Sequence, residues 1–145
     1  MTNLKGIKGF TVQTLSTDTI ANAVAGGTWA SGGALNTGRA ELAGSKGGTQ
    51  SATIAFGGYP PASSRLAITE SYNGSSWTEV GDLNQGRSSM AGIGTYTAAL
   101  ATGGGISPGP SNNTGINESW DGSSWTEVGD LNQARREIDG CCRLS

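Results

Sequence analysis

Apolar positions along this chain fall into short β-like stretches, and only one stretch has helical spacing. Ser51–Gly58 (SATIAFGG) and Thr97–Gly104 (TAALATGG) are small-apolar runs that both end in a Gly-Gly pair. Ala67–Tyr72 (AITESY) and Ser76–Val80 (SWTEV) are rich in Thr, Tyr, Trp and Val, as hairpin arms are. Asn73-Gly74 lies between these arms, and Asp121-Gly122 follows the related ESW stretch. Both dipeptides predict a tight hairpin turn with φ > 0 at its central residues. The helical candidate is Thr17–Ala25, with Asp18 as N-cap and Gly26 as stop. The pattern predicts an all-β chain with less than about one fifth helix.

The pattern recurs. GSSWTEVGDLNQ runs from Gly74 to Gln85 and again, unchanged, from Gly122 to Gln133, an offset of 48 residues. A weaker copy, Thr28 to Gly44, lies one period upstream. Trp29, Trp77 and Trp125 mark the period, as do Leu35, Leu83 and Leu131. Arg39, Arg87 and Arg135 follow in phase, and Leu42, Met90 and Ile138 hold one apolar position. The offset of the Gly-Gly strands falls to 46, because the first copy has about two extra residues near Lys46 and Gly47. The loops after Gly58 and Gly104 differ in length and composition, which suits exposed connections. Repeats of this length signal a solenoid, a propeller or an array, with the core buried between neighbouring units. The organisation read here is an arm over residues 1–26, repeats over 27–76 and 77–124, and a partial third over 125–145.

Composition narrows the function classes. Gly accounts for 25 of 145 residues, against an expectation of roughly ten, and hydrophobic content is 34%. That suits short strands and many turns. Net charge is −2 and no basic block exists, which argues against a nucleic-acid partner. No apolar run approaches the ~20 residues that span a bilayer, and no apolar leader is visible at the N-terminus. With no histidine there is no conventional triad, and two cysteines cannot make a structural zinc site alone. Cys141 and Cys142 are adjacent and poorly placed to pair with each other. No cofactor, metal or catalytic residue is expected.

Each repeated residue has a bland and a sharp reading. The tryptophans are expected to pack between repeats rather than to form glycan platforms. On that basis Trp77→Ala should cost about 3–5 kcal/mol, and Trp125 less, its repeat being incomplete. The arginines are expected to pair with an acidic residue of the neighbouring repeat, such as Glu79 or Asp82, rather than to bind an acidic ligand. Asn73, Asn112 and Asn117 each open an N-x-Ser/Thr triplet, read as chance matches in a Ser/Asn-rich chain. The Gly103-Gly104-Gly105 run lacks the Lys-Ser/Thr of a phosphate loop and reads as a strand end.

The order of these features resembles a kelch repeat: a strand ending in Gly-Gly, a variable loop, an aromatic before a turn, a Trp, then an Arg. The first copy supplies Gly57, Gly58, Tyr72, Asn73, Trp77 and Arg87. The second supplies Gly103, Gly104, Trp120, Asp121, Trp125 and Arg135. The resemblance covers roughly residues 27 to 140. It implies four-stranded propeller blades, close backbone approach at Gly-Gly and aromatics packed between blades. About two and a half repeats fall short of the 4–8 blades of a closed propeller. An incomplete propeller or open array completed by oligomerisation is therefore expected, since open edges invite pairing. A trimer is preferred, because it brings six full repeats together. Galactose-oxidase-like copper enzymes share the propeller but need histidine, which is absent here.

Asn36–Gly44, Gly48–Gly58 and Glu70–Trp77 also resemble repeats of marine bacteriophage virion proteins, especially those of phages of cyanobacteria. That resemblance implies a non-enzymatic tail, tail-fibre or capsid-attached component located in the virion. Its expected partners are other virion proteins, sibling chains, and a host surface glycan or protein. The alternatives are a kelch-like interaction module of a cell and a glycan-binding adhesin.

Overall fold

Among the described residues, eight short strands form two four-stranded antiparallel sheets, each a simple meander. In the computed structural model, residues 31–60, 64–107 and 112–137 are described. Contacts divide the chain into units of residues 1–31 and 32–145, and the described strands lie in the second. The first sheet runs β1 (Ala43–Gly44), β2 (Thr53–Phe56), β3 (Thr69–Tyr72) and β4 (Trp77–Glu79), in that spatial order. The second runs β5 (Ala91–Gly94), β6 (Ala99–Thr102), β7 (Asn117–Trp120) and β8 (Trp125–Val128). The chain is therefore all-β, with no helix among the described residues. The arm, Trp29, the helical candidate at Thr17–Ala25, Ile138 and both cysteines lie outside them.

Each sheet is one period of the repeat, and the two share a register. Tyr72 faces Trp77 across the β3–β4 hairpin, as Trp120 faces Trp125 across β7–β8. The hairpin tips differ from the expected two-residue turn. Four residues, Asn73–Ser76 and Asp121–Ser124, separate the paired aromatics, and in each tip only the glycine has positive φ, +97° at Gly74 and +100° at Gly122. Asn and Asp act through their side chains instead. Asn73 Oδ1 accepts from the N–H groups of Ser75 and Ser76, and Asp121 Oδ1 from those of Ser123 and Ser124. The two serines supply donors that a two-residue turn lacks, so the longer Asx-type loop wins.

The core lies between the sheets, as period-two alternation dictates. One face of the first sheet offers Ala43, Ile54 and Phe56; one face of the second offers Ala99, Ala101, Trp120 and Trp125. Leu83 and Met90, from the crossing segment, complete the cluster. The Phe56 and Trp125 rings meet edge-on at 4.8 Å, and Trp120 lies 5.4 Å from Trp125. Trp125 is buried at 5% exposure, whereas Trp77 is half-buried. This reverses the expected order of the two tryptophans. Trp125 faces another sheet, while Trp77 stands on the outer face of the first sheet.

Candidate functional site: the joint between the sheets

The segment before each sheet ties it to the sheet before. Ahead of β5 it runs Leu83-Asn84-Gln85-Gly86-Arg87. Its backbone bonds to the first sheet's connections. Leu83 N–H donates to Ala67 O at 3.0 Å, Arg87 N–H to Leu66 O at 3.2 Å, and Gly58 N–H donates to Arg87 O at 2.8 Å. Asn84 and Arg87 bond to the second sheet, mainly through their side chains. Asn84 N–H and Nδ2 both donate to Glu118 Oε2, at 2.7 and 2.8 Å. Arg87 Nη2 donates to Glu118 Oε1 at 2.7 Å, while Nη1 donates to Gly103 O and Ile116 O.

The Arg87 and Glu118 side chains are fully buried. Burial lowers the Arg87 pKa from its usual value, and the Glu118 carboxylate opposes that shift. A buried ion pair is stable only with its remaining donors and acceptors engaged. Asn84 and the two carbonyls fill that role for most of the site. Arg87 Nε alone is left without a partner.

The first copy repeats this chemistry. Arg39 Nη1 bonds Glu70 Oε1 with both side chains fully buried, and Asn36 N–H donates to Glu70 Oε2 at 2.7 Å. The arginine partners are thus Glu70 and Glu118, not Glu79 or Asp82. Glu70 and Glu118 stand on the inner strands β3 and β7, where an unpaired carboxylate would be costly. Glu79 is exposed on the edge strand, and Asp82 Oδ1 accepts from Thr69 N–H at 3.1 Å. An acidic residue within the Thr-Glu-Ser-Tyr and Asn-Glu-Ser-Trp strands, 31 residues after its arginine in both copies, was the available signal.

The third copy keeps only the backbone half. Leu131 N–H donates to Gly115 O at 2.8 Å, and Gly104 N–H to Arg135 O at 2.9 Å. The Arg135 side chain is exposed and, among the described residues, bonds to Gln133 alone. Leu35 and Leu131 are half-buried where Leu83 is buried.

The Gly-Gly pairs make the close approaches that the joint needs. Gly57, Gly58, Gly103 and Gly104 all have positive φ, and a Cβ on Gly58 would fall 2.7 Å from Ala40 O. Beside them runs a backbone ladder that the sequence did not reveal. Glu41, Ser89 and Glu137 share left-handed φ values of 51°, 52° and 55°. Ser89 N–H donates to Glu41 O at 2.9 Å, and Glu137 N–H to Ser89 O at 2.8 Å. Hydroxyls of Ser88, Ser89 and Tyr59 also donate to the Glu41 carboxylate. The Ser89 bond is the main cause of its lowered pKa.

Among the described residues no group of three or more His, Cys, Asp or Glu gathers as a metal site would require. The repeated residues instead build one all-β structural device, a joint between successive sheets. No protein-family model matches the chain, and no curated protein matches its sequence.

Proposed function

We propose that this chain is a non-enzymatic structural protein of a phage virion, a tail, tail-fibre or capsid-attached component. Its sheets act as kelch-like propeller blades in an array that homo-oligomerisation completes. One observation carries the reading. The residues that recur between copies, Leu83, Asn84, Arg87, Glu118 and Trp125 among them, are spent on joining sheet to sheet. What varies is the connections: β2 to β3 and β6 to β7 at one end of each sheet, and at the other end β1 to β2, which is longer than β5 to β6. Such a division suits a scaffold that holds dissimilar loops at fixed spacing. The resemblance to marine phage repeats supports the virion location.

Peptide and intact-mass spectrometry of purified virions from the phage carrying this sequence tests the proposal. The expected result is the protein in stoichiometric amount; its absence from the particle sinks the reading.

A glycan-binding reading has one observation in its favour. Tyr72 and Trp77 are half-buried, with ring centroids 5.0 Å apart, on an outer face. Their counterparts Trp120 and Trp125 are buried by a neighbouring sheet, which favours protein over sugar as the natural cover.

A further inference from the structure

Among the described residues, the interface inside this molecule joins two unlike sheet faces, and one of each has no second sheet against it. Call the face bearing Trp125, Trp120, Ala99 and Ala101 the aromatic face of the second sheet. It packs on the aliphatic face of the first sheet, formed by Ala43, Ile54, Phe56 and Thr69. The first sheet's aromatic face, with Trp77 and Tyr72, points outward. So does the second sheet's aliphatic face, with Ile93, Leu100 and Val128. Exposure follows. Ile54 is 1% exposed, while Leu100, at the equivalent place, is half-buried; Val128 is 41% exposed. The polar marks correspond in position, the Trp77 indole N–H donating to Gly33 O of its own chain at 3.0 Å until a partner is seated. Thr69 Oγ1 accepts the Trp125 indole N–H at 3.0 Å. Asn117 stands at the equivalent place on the outer aliphatic face, 8% exposed, and its Oδ1 has no hydrogen-bond partner.

We infer that the outer aliphatic face of the second sheet takes the Trp77 face of a second copy of this chain, head to tail. The inference rests on the assembly reading above and supplies its contact. The occupant is a second copy because the seated surface within the molecule, the Trp125 face, shares its Ser-Trp-Thr-Glu-Val strand with the Trp77 face, with Trp120, Ala99 and Ala101 where the latter has Tyr72, Thr53 and Ala55. The new contact continues an interface that already exists.

The geometry adds one condition. In such a joint, residues 129–137 of the first copy and 33–41 of the second compete for one place, since each is the segment that ties sheet to sheet. The second copy's segment holds the buried Arg39–Glu70 pair, which is costly to break. The first copy's segment carries Arg135, whose exposed side chain, among the described residues, bonds to Gln133 and to no carboxylate. Residues 129–137 therefore yield. They act as a displaceable cover over the docking face, and the incoming Leu35, Asn36 and Arg39 take their place. A heterologous contact of this kind closes into a ring or runs on as a filament, according to its rotation.

The test uses the full chain and two variants, Trp77→Ala and Leu100→Glu, each spoiling one face. Sedimentation is followed from about 1 to 100 μM, because interfaces of this type are dissected by such single changes. The parent should self-associate, each variant should weaken association at least tenfold, and an equal mixture should form a one-to-one heterodimer through the two intact faces. Leu131→Ala, which loosens the cover, should tighten association of the parent. A parent that stays monomeric overturns the inference, its faces being covered by its own remaining residues or by another molecule. A parent that associates regardless of both variants also overturns it, while leaving the assembly reading standing.

Discussion

The indole N–H of Trp125 donates to the hydroxyl of Thr69 at 3.0 Å, across 56 residues and from one sheet to the other. This bond satisfies the polar end of a side chain whose rings pack on Phe56 and Trp120. It is both a packing contact and a register mark between the sheets.

Trp125→Ala should therefore destabilise the fold by about 3–5 kcal/mol, the range for a buried aromatic truncated to Ala. Trp77→Ala, half-exposed, should cost less than about 2 kcal/mol at concentrations where the chain is monomeric. Urea denaturation of the two variants measures the difference. Equal losses would show that Trp77 is as fully buried as its twin.

Removing one partner of the buried pair should be as severe. Arg87→Ala or Glu118→Ala should each cost about 3–5 kcal/mol, since either leaves a buried charge uncompensated. Arg135→Ala, at the same place in the repeat but exposed, should stay within about 0.5 kcal/mol of the parent. Thermal melts of the three proteins read the contrast, and a large loss at Arg135 would contradict the solvent-facing position of its side chain.

Gly58→Ala should destabilise by more than about 1 kcal/mol. Its φ of +96° disfavours any side chain, and the added Cβ would press on Ala40 O. Gly129→Ala is the control, because a Cβ there meets nothing within 4 Å.

The Asp121 tip gives a pH dependence with a definite sign. Backbone N–H of Ser124, then the Ser123 hydroxyl and N–H, hold the Asp121 pKa down to about 2, against 3.8 unperturbed. A folded pKa below the unfolded value means stability present above pH ~4 and lost as pH falls through ~2. Carboxyl NMR should place the Asp121 midpoint near 2. Asp121→Asn, which copies the Asn73 tip, should remove this part of the acid sensitivity. A midpoint near 4 would show that the turn bonds do not form in solution.

Much of this architecture was legible in the sequence because β alternation and Gly-Gly punctuation are local. SATIAFGG and TAALATGG became β2 and β6, and ESY and ESW fell within β3 and β7. The rank of the two tryptophans was not legible, for a plain reason. Trp77 and Trp125 lie in identical twelve-residue blocks. Only their place in the array differs, and it decides which one is covered. The Arg39–Glu70 and Arg87–Glu118 pairs were missed because proximity along the chain suggested Glu79 and Asp82. The inner-strand carboxylates, buried and in need of a cation, lay further away. The Glu41–Ser89–Glu137 ladder is a backbone property, and three dissimilar side-chain contexts concealed it.

That ladder keeps strict time while the chain between its rungs does not. Its residues recur every 48 positions, yet the Gly-Gly strands inside recur at 46, the extra residues of the first copy being taken up in the β1–β2 loop, where Gly47 N–H reaches Gly94 O at 2.8 Å. The consequence is genetic. A crossover that runs from the second identical block back into the continuation of the first repeats one whole unit, and the added sheet meets its neighbour with Arg, Glu, Trp and Asn already aligned. A chain built this way lengthens by an entire sheet when one unit is repeated, and the longer product carries the residues of a working joint at its new boundary.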